Sequence, residues 1–133
     1  MRKDAREVVF KILYSELYSE FDGELFATLC DDTKLSEAEK TFAEDLLKTV
    51  HEHKSELDEL ISSYAQNYRL DRIYPTDKCA LYIGLAEMTY CKDVPTVVAI
   101  DEAMALCRSY STKESTSFVN GIFAKYKSDL EKS

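Results

Sequence analysis

The sequence predicts an all-α protein of about seven helices, and three observations support this fold class. Apolar residues recur at helical spacing along every long segment, and no segment alternates convincingly between apolar and polar side chains. Three glycines and two prolines are too few to mark the many turns of an all-β fold. A length of 133 residues with 45% hydrophobic residues is typical of a single folded domain.

The first three helices are predicted from apolar stripes and one capping motif. The first helix begins at Asp4, and its stripe consists of Val9, Ile12, Leu13, Leu17 and Phe21. Gly23 separates it from a short second helix, which carries Leu25, Phe26, Leu29 and Cys30. Ser36 and Glu39 form a capping box, in which each side chain can bond the other residue's backbone N–H. The third helix therefore begins at this box.

Four more helices follow, separated by polar or proline-containing segments. The fourth begins at Ser55, and its apolar stripe extends from Leu57 to Tyr68. Pro75 interrupts the pattern, so Thr76 or Asp77 is expected to cap a fifth helix that extends to about Cys91. The fifth helix is apolar nearly all round, which predicts a central position. Thr96 is expected to cap the sixth helix, and a last helix follows the polar stretch 109–117.

The charge is strongly acidic on average but unevenly distributed. The formal net charge is −8, and residues 31–60 contribute −6 of it, from four basic and ten acidic residues. A general nucleic-acid coat protein is disfavoured, because phosphate binding needs clustered cations. The N-terminus is nevertheless locally basic, because Arg2, Lys3, Arg6 and Lys11 face two acids before residue 12.

No pattern typical of catalysis or of metal binding is found. The four cysteines form no C-x-x-C pair, and His51 and His53 lie two apart on a helix, where they point to different sides. Phosphate-loop, nucleophile-elbow and zinc-protease motifs are missing from the sequence. We therefore expect neither an enzyme nor a cofactor. With no signal peptide at its start and no uncharged run above ten residues, the chain is expected to be cytoplasmic, without membrane contact.

Two short segments are candidates for nucleic-acid binding. Arg2, Lys3 and Arg6 are three or four residues apart, so on a helix they share a face that could meet a phosphate backbone. Phe118 directly follows a run of hydroxyl residues at a helix start, where free amides attract anions and a ring can stack on an unpaired base. An ordinary solvated helix start and a core position for Phe118 remain open alternatives. A third segment, 93–103, is interpreted as structural.

Several stretches in the same order and spacing resemble the NusB family of bacterial transcription antitermination factors. Arg6-Glu7 followed by residues 13–15 resembles its first helix, and residues 57–61 and 70–73 resemble its middle helix and the loop after it. Residues 93–95 and 98–103 resemble its D-V-P and V-A-I-N-E-A motifs, with Asp101 in place of the asparagine. Residues 118–121 match its F-V-N-G motif, and the whole resemblance covers about 120 residues.

The resemblance implies two packed helical subdomains, about 1–74 and 75–133, without catalytic activity. It implies binding of boxA-type single-stranded RNA from ribosomal RNA operons, together with NusE, a ribosomal small-subunit protein, in an RNA-polymerase antitermination complex. By position, the RNA-binding residues would be Arg2, Lys3, Arg6, Lys113, Ser115, Phe118 and Asn120. The NusE-binding residues would be Tyr14, Tyr18 and Asp77.

Two other interpretations remain open. The chain could be a protein-interaction adaptor or a homodimer of the same fold that has lost direct RNA contact, its acidic segment 31–60 facing solvent or a basic partner. It could also resemble the NusB-like N-terminal domain of an RNA cytosine methyltransferase. The latter would require a fused catalytic remainder, for which a chain ending at Ser133 is expected to have no room.

Overall fold

The computed structural model describes residues 2–65 and 69–132, and within them the chain forms seven α-helices and no strand. The helices are α1 (Arg2–Glu16), α2 (Gly23–Asp32), α3 (Glu37–Glu52), α4 (Lys54–Tyr64), α5 (Pro75–Tyr90), α6 (Thr96–Tyr110) and α7 (Lys113–Glu131). A short 3₁₀ helix, Leu70–Arg72, lies between α4 and α5. The predicted all-α class is confirmed. Tyr68, predicted to end the stripe of the fourth helix, lies outside the described residues.

The central position predicted for α5 is confirmed. Every residue from Cys79 to Glu87 is buried, and α5 packs against α1, α3, α4, α6 and α7. Buried side chains from both halves of the chain join one hydrophobic core. The division into subdomains at residues 74 and 75 stays a prediction.

The ends of several helices differ from those predicted, because local caps decide them. The helix α1 ends at Glu16, and Phe21 lies in the following loop with 50% of its surface exposed, so its assignment to the core stripe was wrong. The Asp22 carboxylate accepts from the N–H groups of Glu24 and Leu25, so Asp22 is the N-cap of α2.

Proline also fixes the starts of two later helices. Pro75 is the first residue of α5, with Tyr74 as its N-cap, and Pro95 is the N-cap of α6. Thr76, Asp77 and Thr96 are therefore inside helices rather than caps. Pro75 suits the first helical position because the missing N–H would have no intrahelical partner there, and its fixed φ is already helical.

Candidate nucleic-acid interface

The first turn of α1 presents two cations to solvent. Arg2 and Lys3 are exposed, and together with Arg6 at its floor, residues of the α5–α6 loop and the start of α6 they line a groove of about 370 Å³. The Arg2 guanidinium lies over the Phe42 ring at 4.4 Å and 3.5 Å from an Asp93 carboxylate oxygen. Lys3 forms no ion pair with any residue in 2–65 or 69–132. The groove therefore has two exposed cations at its edge.

Arg6 does not share this exposure, which corrects the expectation that three cations form one outward face. Its side chain is 4% exposed, and it donates from Nε and Nη2 to the two carboxylate oxygens of Glu87, each at 2.7 Å. Burial is the largest single effect and lowers the pKa of Arg6, but the hydrogen bond to Glu87 and the negative charges of Glu87 and Glu102 together outweigh it, so the pKa of Arg6 is raised. The charge of Arg6 is therefore paired with the Glu87 carboxylate inside the protein.

The second candidate segment is helical from an earlier residue than predicted. The Thr112 hydroxyl accepts from the Ser115 N–H at 3.1 Å and caps α7, which begins at Lys113 rather than after Ser117. Because Ser115, Phe118 and Asn120 are all inside α7, helical spacing decides which of them lie together. Lys113 and Asn120 are seven apart and share an exposed face, whereas Phe118 and Asn120 are two apart and point to different sides.

Phe118 is half-buried and packs against the core while one side faces a small cavity. The cavity measures about 110 Å³, and its lining residues are Arg72, Ile73, Tyr74, Asp77, Glu114, Ser115 and Phe118. Ser115 is 5% exposed, which corrects the expectation of a surface contact at this position. Phe118 is therefore partly packed against the core and partly accessible from the cavity.

The two candidate segments do not form a single cradle. Arg2 and Lys3 line the groove beside Asp93, whereas Phe118 lines the cavity beside Arg72, and no residue belongs to both linings. The helix α6 lies between the two regions: Val98 and Glu102 near its start line the groove with Arg2, and Ser111, directly after its last residue, donates to Asp77, which lines the cavity.

Of the three residues expected to bind a partner protein, two are exposed and one is buried. Tyr14 is exposed in the last turn of α1 and Tyr18 is exposed, to 69%, in the turn that directly follows it, and their ring centroids are 5.6 Å apart. Asp77 is 2% exposed, and its carboxylate accepts from Ser111 Oγ at 2.8 Å, which corrects the expectation that it lies on the surface. Asp77 instead joins the start of α5 to the end of α6.

The sequence did not single out four residues that the structure places in or beside the candidate site: Phe42, Glu87, Arg72 and Tyr74. A signal for Glu87 was present: it is the one acid among the thirteen residues from Cys79 to Cys91. A lone acid in an apolar helix is rarely buried unless it is paired, so a cationic partner should have been sought. Phe42 was assigned to the stripe of α3, and nothing in the sequence showed that two guanidinium groups lie over its ring.

Within residues 2–65 and 69–132, no group of three or more side chains could hold a metal ion. In the same part of the chain, no helix is sufficiently long and apolar to cross a membrane. The part of the chain that the structure describes is thus all-helical apart from its loops, with exposed cations at the start of α1, a partly open cavity beside Phe118 and an exposed tyrosine pair.

Comparison with known proteins agrees with this class. The chain is 38% identical over 123 residues to the transcription antitermination protein NusB of Methylacidiphilum infernorum, covering 91% of this chain and 86% of that protein. It superposes on the solved NusB of T. maritima with a TM-score of 0.86 at 30% identity, covering 94% and 89% of the two chains. It also superposes on a chain in a structure of the antitermination factors NusB and NusE in complex with dsRNA, with a TM-score of 0.85 at 26% identity and 96% of each chain covered.

The model of the NusB family matches residues 3–128. The chain belongs to the NusB family.

Proposed function

We propose that this protein is a transcription antitermination factor that binds boxA-type single-stranded RNA of ribosomal RNA transcripts together with NusE, within an RNA-polymerase complex. The observation that carries the proposal is the arrangement of α1. Its first turn presents Arg2 and Lys3, its last turn presents Tyr14, and Tyr18 lies in the turn that directly follows the helix. Tyr14 comes eleven positions after Lys3, about 16 Å along a helix. One rigid element can therefore contact RNA and a protein at the same time.

The RNA side of the proposal uses two surfaces. Arg2 and Lys3 contact phosphates at the first, and Lys113 and Asn120 add a charge and an amide on α7. Phe118 offers its accessible face to an unpaired base, because ring stacking tolerates any base and needs no duplex. A single strand fits this layout because it can bend between the groove and the cavity.

The protein side uses the tyrosine pair. Tyrosine is enriched at interfaces, since its ring supplies apolar contact and its hydroxyl can hydrogen-bond at the rim. Tyr14 and Tyr18 place two such rings side by side at the end of α1 and in the turn after it. With NusE bound there, RNA gains contacts from both proteins, so its affinity for the pair exceeds its affinity for either alone. The proposal assigns no catalytic step and no cofactor to the chain, and places it in the cytoplasm.

The test is RNA binding with and without NusE. Fluorescence anisotropy of a labelled boxA-type strand is expected to show weak binding to the protein alone and at least tenfold tighter binding to the NusE complex, a gain of about 1.4 kcal/mol. A single strand of scrambled sequence is the control and should bind more weakly. Equal affinity with and without NusE, or no binding in either case, would contradict the proposal.

A protein-interaction adaptor without direct RNA contact is the second candidate. The pairing of Arg2 with Asp93 and of Arg6 with Glu87 favours it, because both cations already have carboxylate partners. Ultraviolet crosslinking of the NusE complex to RNA separates the two candidates. Crosslinks in peptides that contain Lys3 or Phe118 support RNA binding, and crosslinks confined to NusE support the adaptor.

A further inference from the structure

Arg6 is held where four helices meet. It lies on α1, and its guanidinium donates two hydrogen bonds of 2.7 Å to the Glu87 carboxylate on α5. Its Nη1 lies 3.9 Å from a Glu102 carboxylate oxygen on α6. The guanidinium carbon is 5.0 Å from the centre of the Phe42 ring on α3. The planar fork of arginine matches a carboxylate at two points, so this contact fixes the orientation of α1 as well as its distance from α5.

This arrangement leaves Arg6 poorly suited to bind phosphate. The Glu87 side chain is fully buried, so a phosphate that took Arg6 away would leave an unpaired carboxylate inside the protein. Leaving a buried charge without its partner is strongly unfavourable, whereas Arg2 and Lys3 can meet phosphate without such a loss.

The same contacts determine where Arg2 lies. Arg2 is one helical turn before Arg6, and both guanidinium groups lie over the Phe42 ring, Arg2 at 4.4 Å. The first turn of a helix frays readily, because its N–H groups lack intrahelical partners. A buried contact at Arg6 holds that turn against α3, α5 and α6.

We propose that Arg6 is a positioning residue: through Glu87 it fixes the start of α1 and thereby holds Arg2 and Lys3 in place for RNA, without touching RNA itself. This inference rests on the proposed function and assigns Arg6 a role different from the phosphate contact that the family resemblance implied. The fork is essential to the role, so lysine does not replace arginine at this position.

The decisive variant is Glu87→Gln, because Glu87 is inaccessible to RNA. If Arg6 positions the helix start, Glu87→Gln weakens RNA binding by the NusE complex about tenfold, the equivalent of one lost charge-assisted contact. Arg6→Lys is expected to weaken RNA binding by the NusE complex to a similar extent. If Arg6 were a phosphate ligand, Glu87→Gln would release its charge and tighten binding, and Arg6→Lys would keep most of the affinity.

A control separates positioning from mere stability. Ile61→Val removes a buried methylene in α4, remote from the Arg6 contacts, and is expected to lower stability while leaving RNA affinity unchanged. The RNA affinities of Glu87→Gln and Ile61→Val are measured well below the unfolding temperature of each variant. Unchanged RNA affinity in Glu87→Gln would overturn the inference, because the pair would then only stabilise the fold. Tighter binding would overturn it in favour of a phosphate contact.

Amide hydrogen exchange gives a second measurement that needs no RNA. Glu87→Gln is expected to speed exchange in residues 5–8 and not in α7, and unchanged exchange in residues 5–8 would overturn the inference. If the wild-type complex binds no RNA, the proposed function fails. The exchange result then decides separately whether the pair holds the start of α1.

Discussion

At the scale of single residues, Gly84 allows three helices to meet. It lies in the middle of α5, and a Cβ atom there would collide with the Phe123 ring of α7 and lie 2.9 Å from the Cβ of Ala103 on α6. Helix propensity alone would favour alanine at this position by about 1 kcal/mol. The close approach explains why glycine is needed in the most buried helix of the protein.

We expect Gly84→Ala to lower the free energy of unfolding by about 1–3 kcal/mol, because overpacking outweighs the gain in helix propensity. Gly121→Ala is the matched control. Gly121 also lies inside a helix but has nothing within 4 Å of a built Cβ, so its substitution should stabilise the protein by about 0.5–1 kcal/mol. Urea unfolding of both variants measures the difference. A stabilised Gly84→Ala would mean that α5, α6 and α7 pack less closely than described.

Phe118 is the residue at which packing and proposed binding coincide. Phe118→Leu keeps much of the apolar contact and removes the ring, so it should weaken RNA binding by about 1–2 kcal/mol while costing less than about 1.5 kcal/mol of stability. Phe123→Leu is the control, since Phe123 belongs to the same helix and is fully buried. Anisotropy titrations and urea unfolding are compared for both. If both variants weaken RNA binding equally, the effect comes from the fold and not from stacking.

At the scale of helices, the predictions succeeded where the signal was local. The capping box at the start of α3 forms as predicted, and the apolar pattern of α5 placed it correctly at the centre. The start of α7 was placed too late because Ser115, Thr116 and Ser117 have modest helix propensity, and the Thr112 cap together with packing on α6 overrides it. The end of α1 was placed too late because Leu17 and Phe21 continue the stripe by spacing alone.

The capping box gives a test at this scale. Ser36 Oγ accepts from the Glu39 N–H at 3.1 Å, and the Glu39 carboxylate accepts from the Ser36 N–H at 2.8 Å. Ser36→Ala removes one of these bonds and should cost about 1 kcal/mol of unfolding free energy. Ser62→Ala, at an exposed interior position of α4, is the control and should be neutral or slightly stabilising. An equal loss in both variants would contradict a capping role for Ser36.

At the scale of the whole molecule, the site could be predicted only in part. Exposure of Lys3 and Tyr14 follows from their positions outside the apolar stripe of α1, and Tyr18 is exposed in the turn after it. Burial of Arg6 depends on a partner 81 residues away, and that of Asp77 on one 34 residues away. Helical spacing determines which side chains share a face, but it does not determine what packs against that face. The family motifs therefore located the segments, and only tertiary contacts showed which residues in them are accessible.

The overall charge distribution leads to a last prediction, on salt dependence. Arg2, Lys3 and Lys113 are exposed cations assigned to the proposed RNA surfaces, and the exposed Arg72 also lines the cavity beside Phe118. Each phosphate neutralised on a single strand contributes about 0.7 to the slope of log affinity against log salt, so these three residues contribute about 2.

Lys3→Met and Lys113→Met should each reduce the slope by about 0.7, measured in the NusE complex so that the partner's share is constant. Lys48→Met is the control, because Lys48 lies on α3, outside both proposed RNA surfaces, and pairs with Glu52. Since the two lysines lie on different helices, their effects should add in the double variant. Slopes that stay unchanged in both single variants would show that the phosphates bind elsewhere.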